Sequence, residues 1–501
     1  MRALFRFDRV AAWIRARSLY SKIPLLPHGE TSANLVGSTP KPPIEGGFGV
    51  WPFSCFFAII YTMKKYAIIL LALGLATHFI FIWQPAETVF DEVHFGKFIS
   101  GYYTHEYFFD IHPPLGKLMI AGFAKIVNFE PGFSFANIGD KFPDNKYVAL
   151  RFLPNLAGAF LPLVIYLLAL RLGIEKRASF FAGLFVALEN ALLVQSHYIL
   201  MDAFLLLFGF VSLYFYFSYR ESKKWQSLLW MGIFGGLSAS VKWTGLSFLA
   251  LAGIIKLIDL IKRRHDAIRY SLFAISFILI PFLIYFSLFA LHFKLLYKSG
   301  PGDAFMMPEF RKTLIGSQDY DNADIKPANL WQKFIGLNRE MYRSNQRLSA
   351  THPYGSQWYS WPFMTRPIYY WVQDNARIYL IGNPVIWWAS TAAVLLLTLR
   401  GFLEGLRKDK IALILLGGYA LNMLPFIGVA RVMFLYHYFT ALIFAILMLA
   451  YLISGQKTAK KFFLAVTTVA VTAFVYFAPL SYGLTLSSKA YDIRVWFSSW
   501  R

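Results

Sequence analysis

The stretch Ala149–Leu170 reads ALRFLPNLAGAFLPLVIYLLAL and carries a single charge, Arg151. A helix that crosses a bilayer needs about 20 mostly apolar residues, because a rise of about 1.5 Å per residue must cover roughly 30 Å of hydrocarbon. This run meets that requirement. Similar runs lie over roughly 66–84, 178–194, 198–218, 226–241, 243–261, 270–292, 383–399, 411–429, 432–453 and 462–481. The reading is an all-α polytopic membrane protein with about eleven spans, the splits near 195 and 242 being the softest.

Composition agrees. The 501 residues are 57% hydrophobic, 19% aromatic and 15% charged. A soluble domain carries about 25% charged residues, so these side chains are too few to cover several soluble domains. Cys55 is the single cysteine, which excludes an intrachain disulfide and a cysteine-based metal cluster. The net charge of +22 would suggest nucleic acid on a soluble chain, but its location argues otherwise.

With the end before Tyr66 in the cytoplasm, every second loop is basic. These loops hold Arg171, Lys176 and Arg177, then Arg220, Lys223 and Lys224, then Lys262, Arg263, Arg264 and Arg269. Later ones hold Arg400, Arg407, Lys408 and Lys410, then Lys457, Lys460 and Lys461. This alternation orients a membrane protein. It places two long segments outside, about 85–148 and 293–382, both rich in aromatics, His and acids. Residues 1–62 read differently, with Arg over Lys and frequent Pro, Gly and Ser. A natural start at Met63, followed by a retained first span within a 63–501 membrane domain, is the expectation there.

The densest polar text follows the first span: DEVHFGKF at 91–98 and FFDIHPPLGK at 108–117. Adjacent carboxylates repel, which raises one pKa and makes a better base. A solvated acidic loop fits the same residues. Pro113-Pro114 signals a helix start, and Leu115, Leu118, Met119, Gly122 and Ile126 share one face of a short interfacial helix. A metal site from Asp91, Glu92, His94, Asp110 and His112 has acceptable ligand types but irregular spacing.

DEVHFGKF, FFDIHPPLGK and YVALRFLP (147–154) together resemble the protein O-mannosyltransferase family, membrane glycosyltransferases of the GT-C type. The resemblance runs from about Met63 to the end. It implies an eleven-span GT-C fold with two extracytoplasmic loops, and mannose transfer from a polyprenyl-phosphate-mannose lipid to Ser or Thr of a protein. No metal or cofactor is required by that resemblance. Asp91 maps onto the family's proposed base; Glu92 would position the acceptor or tune Asp91. Arg151 maps onto the family's Arg beside the donor phosphate, and Lys242 and Arg431 also match cations able to approach it. Asp110, His112, Asp202, His352, Trp358 and His437 are candidates for acceptor or sugar contacts. Here His197 stands where an Arg is usual, and Thr440 where a Pro is frequent. His105 reads as an ordinary loop residue.

There is no room for the soluble MIR module of eukaryotic members, which points to a bacterial-type enzyme of the plasma membrane, its site on the extracytoplasmic side. The alternative reading is a GT-C transferase passing another sugar, such as aminoarabinose, to a lipid acceptor. A lipid-sugar transporter fits less well, because no duplicated halves are visible.

Overall fold

The computed structural model describes residues 64–262, 267–347, 351–405, 409–429, 431–454 and 459–501. The expectation about residues 1–62 and Met63 lies outside them. All eleven apolar runs are helical. They form α1 (Lys64–Phe79), α4 (Tyr147–Arg171), the bent pair α5 (Lys176–Ala187) and α6 (Asn190–His197), α7 (Asp202–Ser222) and α8 (Trp225–Ala239). They continue as α9 (Leu246–Lys262), α10 (Ala267–Leu295), α12 (Pro384–Glu404), α13 (Lys410–Leu421), α14 (Phe439–Ile453) and α15 (Ala459–Tyr482). The first external segment adds α2 (Glu92–Thr104) and α3 (Leu115–Ile126); the second adds α11 (Leu330–Arg347).

Among the described residues, eight helices are long and apolar enough to cross a membrane, and nine counting the bent pair as one span. The 16 residues of α1 and 15 of α8 cover only about 24 and 22 Å at 1.5 Å per residue. Eleven is therefore the number of helical segments, while the number of full spans is not fixed by length. The break in α5–α6 is a bend of 54°, seated where Glu189 accepts hydrogen bonds from the backbone of Ala191 and Asn383.

α4 is the packing centre, touching α1, α5 and α7, and α14 plays the same part for α5, α12 and α13. Their apolar windows are 78% and 72% buried, against 17% for α10, so α4 and α14 are core helices and α10 faces lipid on most sides. Close approach depends on missing side chains. A Cβ on Gly74 would fall 2.2 Å from the carbonyl oxygen of Ala159, so α1 and α4 meet backbone to backbone there.

The external segments are stitched together. Tyr107 N–H donates to Lys298 C=O, and Lys298 N–H donates to His105 C=O. His105 closes α2 in a left-handed conformation, φ 66°, with its ring bonded to the Leu295 carbonyl at 2.9 Å. The second segment also holds a small antiparallel hairpin, β1 (Ile368–Gln373) and β2 (Ala376–Leu380), which the all-α expectation omitted. Its register runs Tyr369↔Tyr379 and then Trp371↔Ile378, so Tyr370 is an extra, bulged residue.

The face expected for α3 points outward at Gly122 and Ile126, with Leu115 alone of that face buried. Lys117, Ile120, Ala121 and Ala124 are buried, and Ile126 is 76% exposed. The opposite face carries the buried Lys117 ammonium against its partner, described below.

Candidate functional site

Asp91 and Glu92 sit at the N-terminus of α2, and consecutive helix positions point about 100° apart. They part company completely. Asp91 is the N-cap, partly exposed, and its carboxylate makes no hydrogen bond or ion pair among the described residues. Glu92 is wholly buried. The chain enters this corner under strain: Phe90 has φ 45°, a left-handed conformation costly for a bulky residue. It is held by a ring stack on Tyr370, centroids 4.0 Å apart, and by Phe90 N–H donating to Tyr370 C=O at 3.0 Å.

Glu92 is taken by Arg151. Nε and Nη2 of Arg151 donate to the two carboxylate oxygens, both at 2.8 Å. Val89 and Ile199 N–H groups donate to the same oxygens. Arg151 also donates to the carbonyls of Pro85 at 2.7 Å and Glu87 at 2.9 Å, and Tyr147, Tyr198 and Phe142 surround its guanidinium. This corrects two expectations. Arg151 is 0% exposed and offers no face to a donor phosphate, and the wholly buried Glu92 does not reach an acceptor, which leaves its other expected part, acting on Asp91, as the one open to it. The pair is a buried bidentate clamp that fixes the acid-bearing turn to α4.

The cation that acts on Asp91 is Lys242. Lys242, just after α8, donates to both oxygens of Asp202 at 2.8 and 2.9 Å. Its ammonium also lies 5.4 Å from the Tyr436 ring centroid. Tyr436 is within electrostatic reach of Asp91, Asp202 and Arg431. Arg431 is half-buried and makes no hydrogen bond or ion pair among the described residues, and burial pushes its guanidinium below the ordinary value. Asp91, Asp202, Lys242, Arg431 and Tyr436 thus surround one region. Burial pushes the Asp91 carboxyl up to about 7; Lys242 opposes this, and Asp202 and Asp110 add to it.

Asp110 and His112 form a neighbouring cluster. Asp110 bonds the Lys117 ammonium on one oxygen and His112 Nδ1 on the other, at 3.1 Å. Lys117 also donates to the carbonyls of His112 and Pro113. Burial pushes the Asp110 carboxyl up, but Lys117 and His112 outweigh it and hold the group well below the carboxylate range. Asp110 is thus a charged anchor for the HPP turn, and Leu115 N–H ties that turn to Ser240 C=O, two residues before Lys242. With Glu92 on Arg151 and Asp110 on Lys117, the five residues of the metal alternative do not converge. No group of three or more candidate ligands is found among the described residues.

The second external segment supplies aromatic walls. His352 is exposed, its ring 5.1 Å from Phe434, which stacks on Tyr436. His437 is sandwiched between Trp361 and Tyr436 and bonds the Phe434 carbonyl at 3.0 Å. Trp358 meets Tyr359 and lies away from the acid cluster; Trp361, three residues on, reaches His437 instead. His197, buried and bonded to the Phe81 carbonyl at 3.1 Å, is a packing residue. Sequence reasoning missed Tyr370 and gave Gln195 no role. Both looked like ordinary members of an aromatic run and a polar turn.

The chain is similar to known proteins along most of its length. Residues 68–297 match the family model described as dolichyl-phosphate-mannose-protein mannosyltransferase. Residues 330–500 match the C-terminal four TMM region of protein-O-mannosyltransferase. Dolichyl-phosphate-mannose–protein mannosyltransferase 1 of Saccharomyces cerevisiae is 23% identical over 83% of this chain and 80% of its own length. Dolichyl-phosphate-mannose–protein mannosyltransferase 4 of Candida albicans is 35% identical over 49% of this chain and 35% of its own length. In structure, the S. cerevisiae protein O-mannosyltransferase Pmt1-Pmt2 complex bound to the sugar donor superposes with a TM-score of 0.79. That match has 22% identity and covers 89% of this chain and 94% of that one. With the GT-C fold and both family regions in place, the chain belongs to the protein O-mannosyltransferase family.

Proposed function

We propose that the protein transfers mannose from a polyprenyl-phosphate-mannose lipid to Ser or Thr hydroxyls of proteins, inverting the anomeric centre. The observation that carries this is Asp91: an unpaired carboxyl at a membrane-proximal helix start, raised to about 7 by burial, with two cations across Tyr436. A Ser or Thr hydroxyl is a weak nucleophile near neutral pH and needs a placed base. Asp91 takes the hydroxyl proton as the oxygen attacks C1 of mannose. The C1–O bond to phosphate breaks, and its electron pair leaves with the lipid phosphate. One displacement on one face gives inversion.

The leaving phosphate gains charge as that bond breaks, and preorganised cations are worth most where charge develops. Lys242 and Arg431 are the groups that meet it in this reading. Lys242 rests on Asp202 until the phosphate arrives. Asp110 and His112 hold the turn beside the acceptor, while His352 and His437 belong to the aromatic wall over the sugar. Trp358 contributes only if the segment around it moves inward.

The alternation of basic loops supports a site on the side of the membrane opposite the cytoplasm. Reporter fusions after Lys224 and after Tyr320 should give opposite topology signals; equal signals overturn that side. The activity is tested with purified protein in lipid nanodiscs, polyprenyl-phosphate-mannose and a Ser/Thr peptide. Mannosyl-peptide of inverted configuration is expected. Sugar on a lipid acceptor with none on peptide contradicts the reading.

A further inference from the structure

We infer that Tyr370 is a positioning residue that serves both the base-bearing corner, through its ring and carbonyl, and the phosphate-binding lysine, through its hydroxyl, an inference that rests on the function proposed above. Tyr370 is the bulged residue of β1, and bulges beside functional sites re-aim side chains. Here the bulge drives the side chain inward to 1% exposure. Its two ends serve two halves of the site. The ring and main-chain carbonyl hold Phe90, the strained residue immediately before Asp91. The hydroxyl donates to Gln195 Oε1. Gln195 Nε2 then donates to Asp202 Oδ2 at 2.6 Å, and Asp202 accepts from the Lys242 ammonium.

The chain of donors has one direction. Asp202 has two claimants, the Gln195 amide and the Lys242 ammonium. Each hydrogen bond from Gln195 draws charge off the carboxylate and loosens its hold on Lys242. The Tyr370 hydroxyl fixes the Gln195 amide in the orientation that puts its N–H₂ on Asp202. Without that hydroxyl the amide oxygen loses its partner, the amide is held less firmly and donates less strongly to Asp202, and the carboxylate is left more fully to Lys242. The lysine is then harder for a lipid phosphate to take. Phe90 and Asp91 are untouched by this change, because the ring stack and the carbonyl bond need no hydroxyl.

Tyr370→Phe tests the link. It should raise the donor KM, and weaken binding of sugar-free polyprenyl phosphate, by roughly tenfold, the equivalent of one lost hydrogen bond to a charged group. The kcat and its dependence on pH should stay near wild type. Gln195→Met should give the same donor defect, and the double variant should be no worse than either single one, since both cut one chain. Phe90→Leu cuts the other branch and should lower kcat with the donor KM unchanged. Thermal unfolding of each variant separates these effects from loss of fold. Wild-type donor KM and phosphate affinity in Tyr370→Phe, or additive defects in the double variant, overturn the inference. Absence of mannosyl transfer by the wild type, with polyprenyl phosphate still bound and weakened in Tyr370→Phe, would instead sink the function and leave the coupling standing.

Discussion

Replacing Arg151 with methionine should destabilise the fold and leave donor binding by the folded protein intact. The guanidinium makes four hydrogen bonds, two to Glu92 and two to the carbonyls of Pro85 and Glu87, at 0% exposure. Removing one partner of a buried ion pair costs about 3–5 kcal/mol, because the remaining charge is stranded. Methionine fills part of the volume but leaves Glu92 with only the Val89 and Ile199 N–H groups. At roughly 2 °C per kcal/mol for a large domain, the apparent Tm should fall by about 6–10 °C. Adding Glu92→Gln removes the stranded charge and should recover part of that loss. Thermal unfolding in detergent, with polyprenyl-phosphate binding measured well below the transition, separates the cases. An unchanged Tm with tenfold weaker phosphate binding would refute the clamp and return Arg151 to the donor.

Three further outcomes follow from the same geometry. Log kcat/KM should rise with pH through a limb near 7, since Asp91 must be ionised to act and burial holds its carboxyl at about that value; a limb near 4 removes the effect of burial. A carboxyl whose folded pKa lies above its unfolded value of about 3.8 destabilises the fold progressively as pH rises between the two. Asp91→Asn should therefore raise Tm at pH 8, by an equivalent of at most about 4 kcal/mol at 1.36 kcal/mol per pKa unit. That gain should be smaller at pH 5; a pH-independent difference contradicts it. Lys242→Met and Arg431→Met should each weaken polyprenyl-phosphate binding, read by titration in nanodiscs, by about tenfold or more, and unaltered affinity in both displaces the phosphate from this region.

The helices were legible because apolar length is written into the chain. Each of the eleven runs became helix, although α1 and α8 are too short to be counted as spans by length. The motif also announced its place, since carboxylates next to an apolar run must be explained. What local sequence hides is direction. Asp91 and Glu92 are adjacent letters, yet one faces the site and the other a guanidinium 59 residues away. The resemblance put Arg151 beside the donor phosphate, and nothing local in the sequence shows its pairing with Glu92. The pairing of Lys117 with Asp110 is likewise a property of the turn between them. Tyr370 carried no signal at all, because a bulge is set by the pairing of two strands and by what they pack against.

The central claim is that Asp91 is the base. The most direct measurement is mannosyl transfer to a Ser/Thr peptide by Asp91→Asn beside its affinity for polyprenyl-phosphate-mannose. The account predicts turnover lowered by about a hundredfold or more with donor affinity within a fewfold of wild type. Turnover retained at the wild-type rate contradicts it.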